Sequence, residues 1–75
     1  MTFFRSKLDT TNFSFEAFAE TEAEAIKYMK RGLRKHADQY RIPADWWLEW
    51  EDSICTIEVG FGGCYRDNSP ILEKP

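Results

Sequence analysis

Few side chains of this sequence could act as soft metal ligands. They are two cysteines, Cys55 and Cys64, and a single histidine, His36. A structural zinc site needs four nitrogen or sulfur donors, so these three cannot complete one. A Cys–His nucleophile pair would need His36 to reach a thiol, yet no oxyanion-hole loop or family cysteine signature surrounds either cysteine. We therefore predict structural cysteines, no metal, no cofactor and no enzymatic activity, and leave open whether the cysteines pair.

Two other patterns suggest chemistry only superficially. Glu49, Glu51 and Asp52 are close enough in sequence for acid/base catalysis, but such work requires burial and perturbed pKa values. Exposure of these acidic residues to solvent is a simpler explanation of so hydrophilic a stretch than catalysis. The glycines of residues 60–63 match neither the P-loop GxxxxGK[ST] nor a GxGxxG fingerprint opening a helix. They instead predict a turn or bulge in which glycine adopts a positive φ.

The charges are strongly segregated although the net charge is only −3. Residues 26–41 hold six basic side chains and one acidic, a net charge of +5, and residues 42–58 hold five acidic and no basic, a net charge of −5. The basic side chains fall on one side of a helix at about 100° per residue. This basic helix face consists of Lys27, Lys30, Arg31, Arg34, Lys35 and Arg41.

Three interpretations of the basic helix face stay open: a solvated surface, a site for an acidic protein, and a site for nucleic acid. Asp38 and Glu24 interrupt the face, and the pI of about 5.0 is unlike that of most nucleic-acid-binding modules. The acidic stretch of residues 42–58, which we call the acidic segment, could neutralise part of the charge.

Aromatic residues are abundant, with six Phe, three Trp and three Tyr. One side of so small a core does not easily bury this many aromatic rings, although a short chain could use all of them as core residues. Trp, Tyr and Arg are enriched at binding hot spots. We therefore predict a partner-binding surface built from Trp46, Trp47, Trp50, Tyr65 and Arg66.

The elements that would position these residues begin with two strands. Residues 4–8 and 13–19 alternate between apolar and polar side chains, which is typical of half-buried strands. Placing Leu8 opposite Phe13 buries one face of the pair, with Phe18 facing the other way.

A helix from Thr21 to Tyr40 is the element with the clearest pattern. Thr21 and Glu24 form a capping box, and proline after Ile42 ends the helix. Gly32 lies mid-helix, which suggests that another backbone approaches closely there. The predicted apolar stripe is Ile26, Met29, Leu33, Ala37 and Tyr40.

The second half of the chain is less regular. Residues 43–52 fit a strand or a short helix, and we favour the helix because proline and aspartate stand at its start. Residues 54–61 predict a strand with Cys55 pointing into the core. Cys64 and Tyr65 could begin a short returning strand, and residues 66–75 predict an irregular tail.

The composition, 43% hydrophobic and 31% charged, predicts one small globular domain over residues 1–75. The predicted fold class is α+β: a small antiparallel sheet of three to four strands with one long amphipathic helix on one face, in the order ββα(α)ββ. No secretory signal or membrane span is recognisable, which predicts a cytoplasmic protein that does not enter a membrane. A homodimer would help so small a chain to bury its apolar surface.

For function, the sequence favours a small non-enzymatic protein-binding module that masks or bridges a protein partner. Very short, acidic, cofactor-free chains recur among phage and mobile-element accessory proteins. Inhibitors of host defence, anti-CRISPR-like proteins included, are therefore one concrete expectation at the level of class. The alternative is a nucleic-acid-binding accessory protein that uses the basic helix face.

Overall fold

A computed structural model describes residues 2–72. Over these residues the chain forms two antiparallel sheets, one α-helix and one 3₁₀ helix. In chain order the elements are β1 (Thr2–Asp9), β2 (Ser14–Ala19), α1 (Glu22–Tyr40), the 3₁₀ helix (Trp46–Ser53), β3 (Cys55–Gly60), β4 (Cys64–Arg66) and β5 (Ser69–Leu72).

The larger sheet has the strand order β2-β1-β3. β1 and β2 pair as predicted, but Leu8 lies opposite Phe15 rather than Phe13, so the predicted register is wrong by two residues. A shift of two keeps the same side chains on the same face, because side chains alternate with a period of two. The cause is the turn, which holds Phe13 outside the strand.

The start of α1 confirms the predicted capping. Thr21 is the N-cap, and its hydroxyl oxygen accepts a hydrogen bond from the amide of Glu24 at 3.2 Å. The Glu24 carboxylate accepts from the same hydroxyl at 3.1 Å. The apolar stripe is partly wrong, because Ala25 is buried where Ile26 was predicted, and Tyr40 is exposed. The buried stripe is Ala25, Met29, Leu33 and Ala37.

α1 ends at Tyr40, one residue earlier than the restriction that Pro43 places on Ile42 would require. Arg41 adopts the left-handed conformation, with φ of 56°, and the amide of Ile42 donates to the carbonyl of Ala37 at 3.1 Å. This is the Schellman arrangement, in which a left-handed residue stops the helix and satisfies its last carbonyl groups. It turns the chain toward the 3₁₀ helix.

Gly32 does not mark a close backbone approach, contrary to the prediction. A Cβ built there would meet nothing within 4 Å. Gly32→Ala is therefore expected to raise the free energy of unfolding by about 0.5–1 kcal/mol, because alanine loses less backbone entropy in a helix. Urea denaturation followed by circular dichroism measures the change.

A matched substitution at the other end of the chain should have the opposite sign. A Cβ at Gly63 would lie 3.0–3.2 Å from the hydroxyl oxygen and two ring carbons of Tyr65. Because the Gly60 amide holds that hydroxyl at 2.9 Å, Gly63→Ala is expected to destabilise the fold. Equal destabilisation by Gly32→Ala and Gly63→Ala would contradict the placement of Gly32 on an open helix surface.

The core lies between the sheet and α1 and is closed at one end by the 3₁₀ helix. Leu8, Met29, Leu33 and Trp47 form its centre. Half-buried side chains surround it, namely Phe15, Ala17, Trp46, Trp50 and Ile54. The helical interpretation of residues 43–52 is thus confirmed, and their tryptophans pack toward the same core.

The apolar side chains of β3 face away from α1, contrary to the prediction for Cys55. Thr56 lies opposite Ser6, so it is Thr56 that shares the helix-facing side, and its hydroxyl donates to the buried Ser6 hydroxyl at 3.2 Å. Ile57 and Val59 lie opposite Arg5 and Phe3 on the second face of the sheet. The alternation of apolar and polar residues does not show which face of a strand meets the helix when both faces of the sheet bury apolar side chains.

The second face is partly covered by the hairpin of β4 and β5. The Arg5 guanidinium donates to the side-chain oxygen of Asn68, and the amide of Gly60 donates to the Tyr65 hydroxyl at 2.9 Å. Asp67 and Asn68, both with positive φ, form a two-residue turn of the kind that matches strand twist. Residues 69–72 are therefore a strand rather than the predicted irregular tail, and residues 73–75 lie outside the described residues.

The α+β class, the three-stranded antiparallel sheet and the helix on one face are confirmed. The predicted order and strand number fit only in part, because the described chain has five strands in two sheets and a second, 3₁₀ helix. Gly62, with φ of 89°, confirms the predicted glycine turn after β3.

Candidate partner-binding groove

A hydrogen-bonded turn between β1 and β2 fixes the position of Phe13. The amide and the hydroxyl of Thr10 both donate to the Phe13 carbonyl oxygen, at 2.8 and 3.1 Å. The Ser14 hydroxyl donates to the Asp9 carboxylate at 2.6 Å and closes the base of the turn. Phe13 is consequently held beside the sheet rather than within it, with 40% of its side chain exposed.

His36 lies at the centre of a cluster of aromatic rings. Its ring centroid is 4.8 Å from that of Phe13, 4.5 Å from Tyr40, 5.1 Å from Phe15 and 5.2 Å from Trp46. The two phenylalanines meet it edge to face, which is a favourable geometry for aromatic pairs. α1 thus contributes a half-buried imidazole to a wall that it shares with Phe13 of the β1–β2 turn.

The 3₁₀ helix supplies the opposite wall. The indole N–H of Trp46 donates to the Leu33 carbonyl oxygen of α1 at 3.0 Å, which anchors the segment to the helix. A 3₁₀ helix has three residues per turn, so side chains three apart lie one above the other. Glu49 therefore lies beside Trp46, and its carboxylate is exposed at the rim.

Together these elements enclose an open cleft of about 270 Å³, the aromatic groove. It is lined by Thr10, Thr11, Asn12, Phe13, His36, Ile42, Trp46, Glu49 and Trp50. Pockets for drug-sized ligands measure roughly 300–1,000 Å³, so this cleft is slightly smaller than such a pocket. Its rings offer apolar contact area and π faces, while Glu49 offers a hydrogen-bond acceptor with a negative charge.

The structure separates the predicted partner-binding residues into three places. Trp46 and Trp50 line the aromatic groove, whereas Trp47 is a core residue with 9% exposure. Tyr65 is tied to Gly60 at the far end of the sheet, where Gly60 pairs with Thr2. Arg66 is exposed on the same hairpin.

Sequence reasoning missed two residues of the groove. Phe13 was interpreted as an inward-facing strand residue, and Ile42 only as part of a helix stop. The turn-forming Asp9-Thr10-Thr11-Asn12 before Phe13 could have indicated that the ring leaves the strand. No sequence signal places Ile42 in the groove, because the left-handed conformation of Arg41 directs it there.

The basic helix face lies on the side of α1 directed away from the sheet. Lys27, Arg31, Arg34, Lys35 and Arg41 are exposed, and Lys30 is half-buried. The Lys30 ammonium lies 5.4 Å from the ring centroid of Trp47, and the Arg31 guanidinium lies 5.8 Å from that of Tyr28. Among residues 2–72, no ion pair joins this face to the acidic segment.

The thiols and the histidine are not brought together. Cys55 is half-buried on the second face of the sheet and Cys64 is exposed on the hairpin, both as free thiols, while His36 lies on the helix side. Neither cysteine lines the aromatic groove. Within the described part of the chain, no three His, Cys, Asp or Glu side chains are grouped in a way that could hold a metal ion.

A second group of exposed rings lies at the hairpin end of the sheet. The Phe3 ring centroid is 5.8 Å from that of Phe18 and 5.6 Å from that of Phe61. Phe18 and Phe61 are both largely exposed. This cluster provides a comparison surface for the aromatic groove.

Comparisons with known proteins found no match to this chain. No protein-family model matches the chain, and no curated protein or solved structure matches it significantly. In residues 2–72, α1 and the 3₁₀ helix are each too short or too polar to cross a membrane.

Proposed function

We propose that this chain is a non-enzymatic protein-binding module and that it binds its partner through the aromatic groove. The supporting observation is the concave cleft between α1, the β1–β2 turn and the 3₁₀ helix, lined by partly exposed rings. Aromatic side chains in such clefts supply large contact areas at low entropic cost. The narrower expectation of a phage-encoded inhibitor of host defence, and that of a homodimer, stay predictions.

Phe13→Ser is expected to weaken partner binding at least tenfold, because hot-spot aromatic residues contribute about 2 kcal/mol or more to binding. The measurement is affinity capture from the native host at high salt with quantitative mass spectrometry. It is followed by titration of the identified partner against the purified wild-type and variant proteins.

Phe61→Ser is the matched control, because it removes the same ring from a more exposed position, 66% exposed, at the other end of the sheet. Circular dichroism verifies that both variants stay folded. Retained binding by Phe13→Ser together with loss by Phe61→Ser would assign binding to the hairpin end and overturn the proposal.

A nucleic-acid-binding function is the second candidate, supported by the absence of ion pairs between the basic helix face and the acidic segment in residues 2–72. If that face contacts phosphates, the double reversal Lys30→Glu/Arg34→Glu should abolish binding, and binding by the wild type should fall steeply with salt. An electrophoretic mobility assay at 50 and 200 mM salt measures both effects. Binding that is insensitive to the reversal would exclude this function.

A further inference from the structure

We propose that the aromatic groove accepts a cationic side chain, arginine or lysine, from a basic segment of the protein partner. This inference rests on the proposed function and specifies the chemistry of the bound segment. The bound cation would lie against the rings of the groove with its charge directed toward the Glu49 carboxylate.

The lining of the groove favours a cation over a neutral side chain. The π faces of tryptophan, tyrosine and phenylalanine are negative and attract guanidinium and ammonium groups. Trp46, Trp50 and Phe13 supply such rings, and Glu49 supplies a carboxylate at the rim. No lysine or arginine of residues 2–72 lines the groove.

The 3₁₀-helix rim of the groove carries negative charge, whereas the exposed Arg41 adjoins Ile42 on the α1 side. Asp45, Glu49, Glu51 and Asp52 are exposed on or beside the 3₁₀ helix, and the acidic segment contains no basic residue. No ion pair in the described part of the chain engages these carboxylates. A basic partner segment is therefore electrostatically complementary to the groove and its rim, whereas an acidic segment would be repelled.

The volume of the groove limits what enters. About 270 Å³ is enough for one long side chain to enter. Arginine fits this description well, because its planar guanidinium can stack on an aromatic ring and also donate to a carboxylate.

The test compares a capped Gly-Arg-Gly peptide with the same peptide containing citrulline, which is nearly isosteric with arginine but neutral. Titration is followed through the indole N–H resonances of Trp46 and Trp50 in NMR spectra. We expect the arginine peptide to shift these resonances saturably and to bind about tenfold more tightly than the citrulline peptide. Equal affinities, or no shift with either peptide, would overturn the inference.

Glu49→Gln tests the position of the charge. It should reduce the preference for arginine to about threefold or less, whereas Glu51→Gln, which removes a charge from the same 3₁₀ helix outside the groove lining, should leave the preference nearly unchanged. Equal effects of the two substitutions would indicate a diffuse field and contradict a cation in the groove. If Phe13→Ser abolishes partner binding while Glu49→Gln preserves it and citrulline binds as well as arginine, the proposed function stands and this inference fails.

Discussion

Trp47→Ala is expected to lower the free energy of unfolding by about 3–5 kcal/mol, because it removes a large buried ring and leaves a cavity. Trp47 is 9% exposed and packs with Leu8, Met29 and Leu33. A 75-residue domain has a total stability of about 4–11 kcal/mol, so the variant should be partly or wholly unfolded at 37 °C. Urea denaturation monitored by circular dichroism and by tryptophan fluorescence measures the loss.

The neighbouring Leu48 provides the control, since its side chain is 53% exposed on the same 3₁₀ helix. Leu48→Ala should change the stability by less than about 0.5 kcal/mol, as is usual for surface substitutions. Similar losses for the two variants would mean that the 3₁₀ helix does not direct Trp47 into the core. The burial of Trp47 conflicts with its predicted place in an exposed partner-binding surface.

Leu33→Ala is expected to cost about 2–5 kcal/mol, the range measured for large-to-small substitutions at fully buried leucines. Leu33 has no exposed side-chain surface and lies at the centre of the buried stripe of α1. Its carbonyl group also accepts the hydrogen bond from Trp46. Thermal unfolding should therefore show a lower midpoint, by roughly 4–8 °C for each kcal/mol in a domain of this size.

Leu72→Ala is the matched control, because Leu72 is 59% exposed on β5. It should leave the midpoint within about 4 °C of the wild type. A loss at Leu72 as large as that at Leu33 would indicate that the hairpin buries Leu72 in solution, for example within a homodimer.

Local sequence patterns determined the elements whose energetics are local. The capping box of Thr21 and Glu24 and the apolar periodicity predicted α1 to within one residue at its start and correctly at its end. Alternation predicted β1, β2 and β3, and the glycines predicted the turn after β3. These signals suffice because capping, periodicity and glycine conformation involve residues within one or two turns of each other.

The candidate site was predictable only in part, because some of its residues are positioned by contacts that are not local in sequence. Trp46 and Trp50 were identified from their type, and the turn residues before Phe13 gave a signal that was missed, but nothing local in the sequence places Ile42 in the groove. Arg41, rather than glycine, occupies the left-handed position that redirects the chain. The hairpin residues Tyr65 and Arg66 were grouped with the tryptophans by composition, although the sheet separates them in space.

The sequence by itself determined that this is a small α+β chain with a capped amphipathic helix, a segregated charge pattern and a surplus of aromatic residues. Only the tertiary structure decided which tryptophan is core and which lines a groove. Packing decides that: Trp47 lies in the buried cluster with Leu8, Met29 and Leu33, whereas Trp46 and Trp50 lie at its edge and line the groove. That choice depends on contacts with α1 thirteen residues away in sequence, such as Trp46 to Leu33, which no local pattern encodes.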